Sequence, residues 1–203
     1  MSFPDKNKWL YLIVGPNGAG KSTLYHKTIK PIVNLPLVNA DEIQKTEVRD
    51  ISDKGSLRAA LIAGRRRIEY LKSGQSFVTE TVFAKSTKNS IVERAKSAGF
   101  RVIVYHISVK TQNLAVSRVR LRVSKGGHNV PESKIRERFA QNEDAIKQAV
   151  LEADYAYVYD NSEFESMPKL QLMMSRGQVT RLGLHLEKWC SELYSDEIQK
   201  ARL

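Results

Sequence analysis

The stretch that most constrains the fold is glycine-rich and consists of Gly15, Pro16, Asn17, Gly18, Ala19, Gly20, Lys21, Ser22 and Thr23. It fits the phosphate-binding pattern G-x-x-x-x-G-K-[ST] and lies between an apolar, strand-like run and a predicted helix. Glycine allows backbone conformations in which successive N–H groups converge on phosphate oxygens, and the helix directs its positive end at the same anion. We expect this P-loop to bind ATP, with Lys21 reaching the β- and γ-phosphates as a catalytic residue and Ser22 ligating Mg²⁺.

Apolar strand-like runs alternate with helical stretches along the chain, which predicts an α/β P-loop NTPase fold. We expect a five-stranded, mostly parallel sheet with helices on both faces. The predicted strands are 9–14, 35–38, 76–79, 101–107 and 153–159. Helices are predicted from about 21 and over 56–71, 86–97, 111–123 and 131–151. A small β-addition over 170–174 and 178–180 and a C-terminal helix from 182 follow.

Length and composition predict one soluble, cytoplasmic domain over residues 1–203, with a C-terminal extension at about 163–203. The chain has 203 residues, 41% of them apolar, which suffices for one substantial core. It contains no apolar run of membrane-spanning length and no signal-peptide pattern at the N-terminus. Cys190 is the single cysteine, so no intramolecular disulfide can form.

The positive charge of the chain is concentrated in two segments. The formal net charge is +11, and residues 101–138 carry nine Lys or Arg against two Glu. Residues 58–72 add five Lys or Arg against one Glu. This clustering favours a site for a phosphate-rich small molecule, although a basic chain can also bind nucleic acid. A polynucleotide- or tRNA-modifying kinase therefore remains an alternative.

Two common classes of P-loop protein lack their motifs here. An ABC-type ATPase requires a signature like LSGGQ and a long apolar strand ending in Asp-Glu, and a GTPase requires Asn-Lys-x-Asp to read guanine. None of these is present. The remaining classes are a compact kinase and a non-enzymatic ATP-binding switch.

Two acidic residues follow predicted strands, where open α/β sheets bind ligands. Asp41 lies twenty residues after Lys21 and could accept the proton of an acceptor hydroxyl, or it could cap a helix. Glu80 could hold a Mg²⁺-bound water or the substrate, or it could cap the end of a strand. Spacing does not separate these alternatives.

A lid is predicted over about 118–138. Arg118 and Arg122 lie four residues apart on one helical face, and Arg136 and Arg138 follow on the next helix beyond a Gly-Gly hinge. Arginines on a mobile flap can neutralise the charge of a phosphoryl-transfer transition state. A solvated basic helix is the alternative. His128, next to the hinge, could contact a phosphate or cap the preceding helix.

These motifs together resemble the zeta-toxin-like P-loop kinases, especially a compact bacterial branch often labelled predicted ABC-type ATPases. The resemblance spans roughly residues 9–162 and rests on six motifs: GPNGAGKST, Asn39-Ala40-Asp41-Glu42, Phe77-Val78-Thr79-Glu80-Thr81, the Arg118/Arg122 pair, Gly126-Gly127-His128 through Phe139, and Asp160-Asn161-Ser162.

The resemblance implies an ATP- and Mg²⁺-dependent kinase that phosphorylates a hydroxyl of a small anionic metabolite, with UDP-N-acetylglucosamine as one candidate. It implies that Asp41 is the catalytic base and that Glu80, with the adjacent Thr81, lies on the substrate side. Arginines among Arg118, Arg122, Arg136 and Arg138 would serve the transferring phosphate. Known zeta toxins are inhibited by a small antitoxin, so a protein partner is also implied. The turn at Asp160 is expected either to contact the nucleotide or to be a plain Asx turn.

Overall fold

The computed structural model describes residues 8–81, 90–127 and 129–202. In these ranges seven strands form one sheet in the order β2-β3-β1-β4-β5-β6-β7. Their bounds are β1 (Lys8–Val14), β2 (Leu37–Val38), β3 (Phe77–Thr81), β4 (Phe100–Ser108), β5 (Tyr155–Asp160), β6 (Lys169–Ser175) and β7 (Gln178–Leu182). The first five strands are parallel, and the last two pair antiparallel.

The α/β class predicted from the sequence is confirmed, but the count of five strands is wrong. The β-addition is not a separate element, because β6 pairs with β5 along its whole length and extends the same sheet. Arg176 and Gly177 join β6 to β7, both with positive φ. This geometry suits the tight turn of a two-residue hairpin.

The described helices lie between and beyond the strands. They are α1 (Lys21–Leu24), α2 (Ala40–Ile43), α3 (Asp53–Ser73), α4 (Ile91–Ser97), α5 (Gln112–Ser124), α6 (Glu132–Gln141), α7 (Glu143–Glu152), α8 (Lys188–Leu193) and α9 (Ser195–Lys200). The helices α1 and α2 each continue directly as a π-helical turn, over Tyr25–Ile29 and Gln44–Val48. Within the described part of the chain, no helix combines the length and apolar character needed to cross a bilayer.

Two helix predictions need correction. The helix predicted over 131–151 is two helices, because Asn142 ends α6 and begins α7. The C-terminal helix predicted from Leu182 begins at Lys188 instead, since Leu182 is the last residue of β7. The apolar spacing that suggested a helix there reflects packing, because Leu182 and Leu186 both pack against the main core.

The strand β1 separates two apolar layers. Leu10, Leu12 and Val14 belong to the main core, which contains buried residues of α3, α4 and α7 to α9. Ile13 faces a second cluster that includes Ala19 of the P-loop. Successive side chains of a strand point to opposite faces of the sheet, so a strand covered on both faces is apolar almost throughout. This packing holds the end of β1, and hence the P-loop, in a fixed position.

The C-terminal helices are attached to the middle of the sheet by buried polar contacts. His106 on β4 is 3% exposed, and its Nδ1 lies 2.9 Å from the hydroxyl of Tyr194. The indole N–H of Trp189 donates to Asp160 Oδ2 at 2.8 Å. The extension therefore packs directly against β4 and β5.

Burial of His106 makes the stability of the protein depend on pH. Burial lowers the pKa of His106 to about 3, whereas an unfolded histidine titrates near about 6.5. As the pH falls below the unfolded value, only the unfolded chain takes up this proton. The free energy of unfolding should therefore fall towards a slope of about 1.4 kcal/mol per pH unit for this residue.

Urea unfolding of the wild type and of His106→Gln at a series of pH values between neutral and mildly acidic measures this contribution. The wild type should lose stability more steeply than the variant as the pH falls. Parallel slopes for the two proteins would contradict the assignment.

Candidate active site

The P-loop conformation requires glycine at three positions, Gly15, Gly18 and Gly20. Gly15 has φ 145°, and a Cβ there would lie 2.0 Å from the Ile107 carbonyl oxygen. Gly20 has φ 97°, and a Cβ there would lie 2.3 Å from Asn161 Nδ2. Any other residue would be strained or would displace β4 or the loop after β5. The glycines thus let the loop fold tightly against its neighbours.

Lys21 lies inside the cradle that this loop forms. Its side chain is 6% exposed, and Nζ donates to the carbonyl oxygens of Gly15 at 3.0 Å and Pro16 at 3.1 Å. Burial lowers the pKa of Lys21, against the opposing attraction of Glu80 and Asp41. The ammonium group is therefore held within the P-loop.

Glu80 connects three segments at the edge of the sheet. Its Oε2 accepts hydrogen bonds from the Ser22 hydroxyl at 3.0 Å and from Asn39 Nδ2 at 2.8 Å, and its Oε1 lies 3.9 Å from Lys21 Nζ. The carboxylate thus contacts the P-loop helix and the loop after β2 from the end of β3. It does more than cap its own strand.

Asn39 gives α2 its N-terminus and places Asp41. Its Oδ1 accepts the N–H groups of Asp41 at 2.8 Å and Glu42 at 3.3 Å, which makes Asn39 the N-cap. Asp41 therefore lies in the first helical turn, neither at the strand end nor at the cap. Its side chain is exposed and lines the cleft described next.

One large cleft runs along the carboxyl edge of the parallel strands. The residues predicted from the sequence that line it are Asn17, Gly18, Gly20, Lys21, Ser22, Thr23, Asp41, Glu80, Thr81, Arg118, Arg122 and Arg138. Gly15, Pro16 and Ala19 are buried beneath its surface. His128 lies outside the described residues. The cleft therefore brings the predicted donor-side and acceptor-side groups to one space.

Arg118 lines the cleft, but its side chain binds backbone carbonyl groups of the loop after β5. Its guanidinium donates to the carbonyl oxygens of Asn161, Ser162 and Glu163, the last at 3.0 Å. The Asn161 side chain in turn donates to the Ala19 carbonyl oxygen at 2.8 Å. Arg118 is thus committed to positioning the loop after β5 against the P-loop.

The arginines of α6 point in different directions. Arg136 pairs with Glu132 at 2.7 Å and donates to Asn113 at 2.9 Å, and it does not line the cleft. Arg138, two residues on, donates to Asn17 of the P-loop at 3.3 Å and does line the cleft. Residues two apart on a helix lie about 200° apart around its axis, so the two cannot share a face.

The predicted lid region is a packed helical pair. Helices α5 and α6 enclose a small core of their own, which includes Val119, Val130 and Ile135. The connection turns at Gly126, where φ is 81°, and the N–H of Gly127 bonds to the Arg122 carbonyl oxygen at 2.9 Å. Arg122 on α5 and Arg138 on α6 therefore border the cleft from one unit.

The turn after β5 has the Asx geometry. Asp160 Oδ1 accepts the N–H of Ser162 at 2.9 Å, and Oδ2 accepts the Ser162 hydroxyl at 2.8 Å. Asn161, in the middle of the turn, lines the cleft. The roles of Asn161 and Asn39 themselves were not assigned from the sequence. For Asn39 a signal was present, because an Asn followed three residues later by a Glu, here Glu42, marks a helix N-terminus.

A strand–P-loop–helix unit, facing carboxylates and a basic helical pair define a P-loop kinase. The sequence model of the Zeta toxin family matches residues 2–167, and the chain belongs to that family. The predicted resemblance is therefore confirmed, and with it an ATP-dependent kinase.

Individual relatives are distant in sequence. A Haemophilus influenzae protein is 29% identical over 134 residues, covering 62% of this chain and 88% of that protein. A chain of the AvrRxo1-ORF1:-ORF2 complex has a TM-score of 0.67 at 16% identity, covering 94% of this chain and 63% of that chain. A chain of the PezAT toxin–antitoxin system of Streptococcus pneumoniae has a TM-score of 0.54 at 13% identity, covering 98% and 87%.

The two arginines of α6 form a matched pair for mutagenesis. Arg138→Gln should lower ATP turnover by about a hundredfold or more, because it removes a positive charge at the P-loop. Arg136→Gln should change turnover by no more than about twofold, since it alters a surface contact. Steady-state turnover of the two variants, with ATP binding measured in parallel, checks this. Equal losses in both, or the larger loss in Arg136→Gln, would contradict the arrangement.

Proposed function

We propose that this chain transfers the γ-phosphoryl group of ATP to a hydroxyl of a small anionic metabolite. The supporting observation is that one cleft is lined by Lys21, by the carboxylates Asp41 and Glu80, and by the arginines Arg122 and Arg138. A phosphoryl donor and a hydroxyl acceptor would meet between these groups.

The donor side would be the P-loop. Its amides and Lys21 would bind the β- and γ-phosphates, and Arg138 would approach the γ-phosphate from α6. Ser22 and Glu80 present oxygen atoms 3.0 Å apart beside the cradle, and oxygen ligands suit Mg²⁺. Ser22 would ligate the ion and Glu80 would hold a water of its coordination shell. When bound, Mg²⁺ neutralises phosphate charge.

Asp41 would act on the acceptor. Its carboxylate is exposed to the cleft on the first turn of α2 and would accept the proton of the attacking hydroxyl. The new bond joins the acceptor oxygen to the γ-phosphorus as the bond to the β–γ bridging oxygen breaks, leaving ADP. Arg122 and Arg138 would stabilise the negative charge on the transferring group, and closure of the α5–α6 unit would exclude water.

The anionic acceptor is inferred from the basic side chains that line the cleft. Seven Lys or Arg side chains, among them Arg122, Arg138 and Lys134, line it beside six carboxylates, so a phosphate-bearing metabolite would find cationic partners there. UDP-N-acetylglucosamine is the first acceptor to test, because it is the substrate of the better-studied zeta toxins.

A protein partner is also proposed. Ile51, which borders the cleft, is 95% exposed, and Leu57 and Leu61 on α3 are 63% and 56% exposed. Exposed apolar residues on the helix that walls a cleft, with one at the cleft itself, suit a protein that covers it. An antitoxin bound there would block the acceptor from entering.

Replacement of Asp41 tests the kinase mechanism. Asp41→Asn should lower transfer from labelled ATP to acceptor by about 10²- to 10⁴-fold, because it removes the proton acceptor. Binding of ATP should be retained. Glu42→Gln is the matched control, since Glu42 is the exposed neighbour of Asp41 and does not line the cleft.

The same experiment separates the alternatives. Full transfer by Asp41→Asn would contradict the role of Asp41. Hydrolysis without transfer to any metabolite, together with tight and salt-dependent RNA or DNA binding, would favour the polynucleotide kinase instead. An ATP-binding switch would show ATP binding with no dependence of its output on Asp41.

A further inference from the structure

One face of α3 forms a wall of the cleft on the acceptor side. The residues of α3 that line it are Asp53, Ser56, Ala60, Ala63 and Arg67. They follow one another at intervals of three or four residues, which places them on a single helical face. Small side chains occupy the middle of this face, so the cleft is open along it up to Arg67.

Arg67 lies near the level of Glu80. Helix α3 connects β2 to β3, which pair parallel, so it runs back antiparallel to both. Counted from the turn at Gly74, Arg67 is about 10 Å back along the helix. Phe77 begins β3 just after the same turn, and Glu80 is about 10 Å further along the strand. The guanidinium is thus carried to the edge of the sheet where the reacting groups lie.

No residue in the described part of the chain neutralises the charge of Arg67. Across residues 8–81, 90–127 and 129–202 it makes no hydrogen bond or ion pair. Its neighbour Arg66, by contrast, pairs with Glu47 at 2.6 Å. Burial, followed by the positive charge of Arg94, lowers the pKa of Arg67. A half-buried guanidinium with unused donors, near a second positive charge, favours an anion.

We infer that Arg67 binds a phosphate group of the acceptor, at a subsite separate from the P-loop. The inference rests on the proposed function. It assigns a binding partner to the end of the acceptor that lies away from the hydroxyl facing Asp41. The guanidinium fork would contact two phosphate oxygens, and the small face of Ala60 and Ala63 would leave room for the rest of the acceptor. Acceptors that lack this anion would be bound weakly.

Binding can be measured without catalysis. The P-loop is first saturated with the non-hydrolysable analogue AMP-PNP at constant free Mg²⁺, and inorganic pyrophosphate is then titrated by calorimetry as the probe. The wild type should bind pyrophosphate under these conditions. Arg67→Gln should weaken this binding by about ten- to a hundredfold, with AMP-PNP affinity unchanged. Arg65→Gln, an exposed position on the other side of α3, should bind like the wild type.

Each outcome decides the inference. Failure of the wild type to bind pyrophosphate, or equal binding by Arg67→Gln and Arg65→Gln, would overturn it. If Arg67→Gln also loses AMP-PNP binding, Arg67→Lys decides, since it keeps the charge without the fork. The Arg67→Lys variant should bind AMP-PNP normally and pyrophosphate more weakly than the wild type. Unchanged pyrophosphate binding by this variant would overturn the inference. Failure of the proposed transfer reaction would appear separately, as absence of product in the ATP assay.

Discussion

The site depends on one partly buried carboxylate contact, the bonding of Glu80 to Ser22 and Asn39. Ser22 belongs to the first turn after the P-loop, and Asn39 caps the helix that carries Asp41. Through Glu80, the segment that binds ATP and the segment proposed to activate the acceptor share one rigid connection. Parallel pairing of β1, β2 and β3 brings all three to the same edge of the sheet.

The remaining contacts of the cleft extend this arrangement to its far side. Asn161 bonds to the P-loop carbonyl of Ala19, and Arg118 holds the loop that contains Asn161. The C-terminal helices bond to Asp160, the residue before Asn161, through Trp189. The extension therefore supports the loop after β5 and, through Asn161, the P-loop, while α5 and α6 contribute Arg122 and Arg138 to the cleft.

The sequence predicted local features well, because they depend on local chemistry. The P-loop, the placement of Glu80 near the end of β3 and the helix start near Asp41 all follow from motif, periodicity and capping. Contacts between distant segments could not be read in this way. Nothing local indicates that Arg118 binds the carbonyl groups of residues 161–163, or that β6 pairs with β5. Arg136 and Arg138 are the same residue type two positions apart. Only the position of α6 relative to the P-loop determines which of them lines the cleft.

Treatment of a metabolite extract with ATP and the protein, followed by mass spectrometry, tests most directly whether the cleft joins a donor and an acceptor site. The wild type should produce a species that has gained one phosphoryl group, and Lys21→Ala should not. Identical spectra for the two proteins, with ATP bound and slowly hydrolysed by the wild type, would contradict a metabolite kinase.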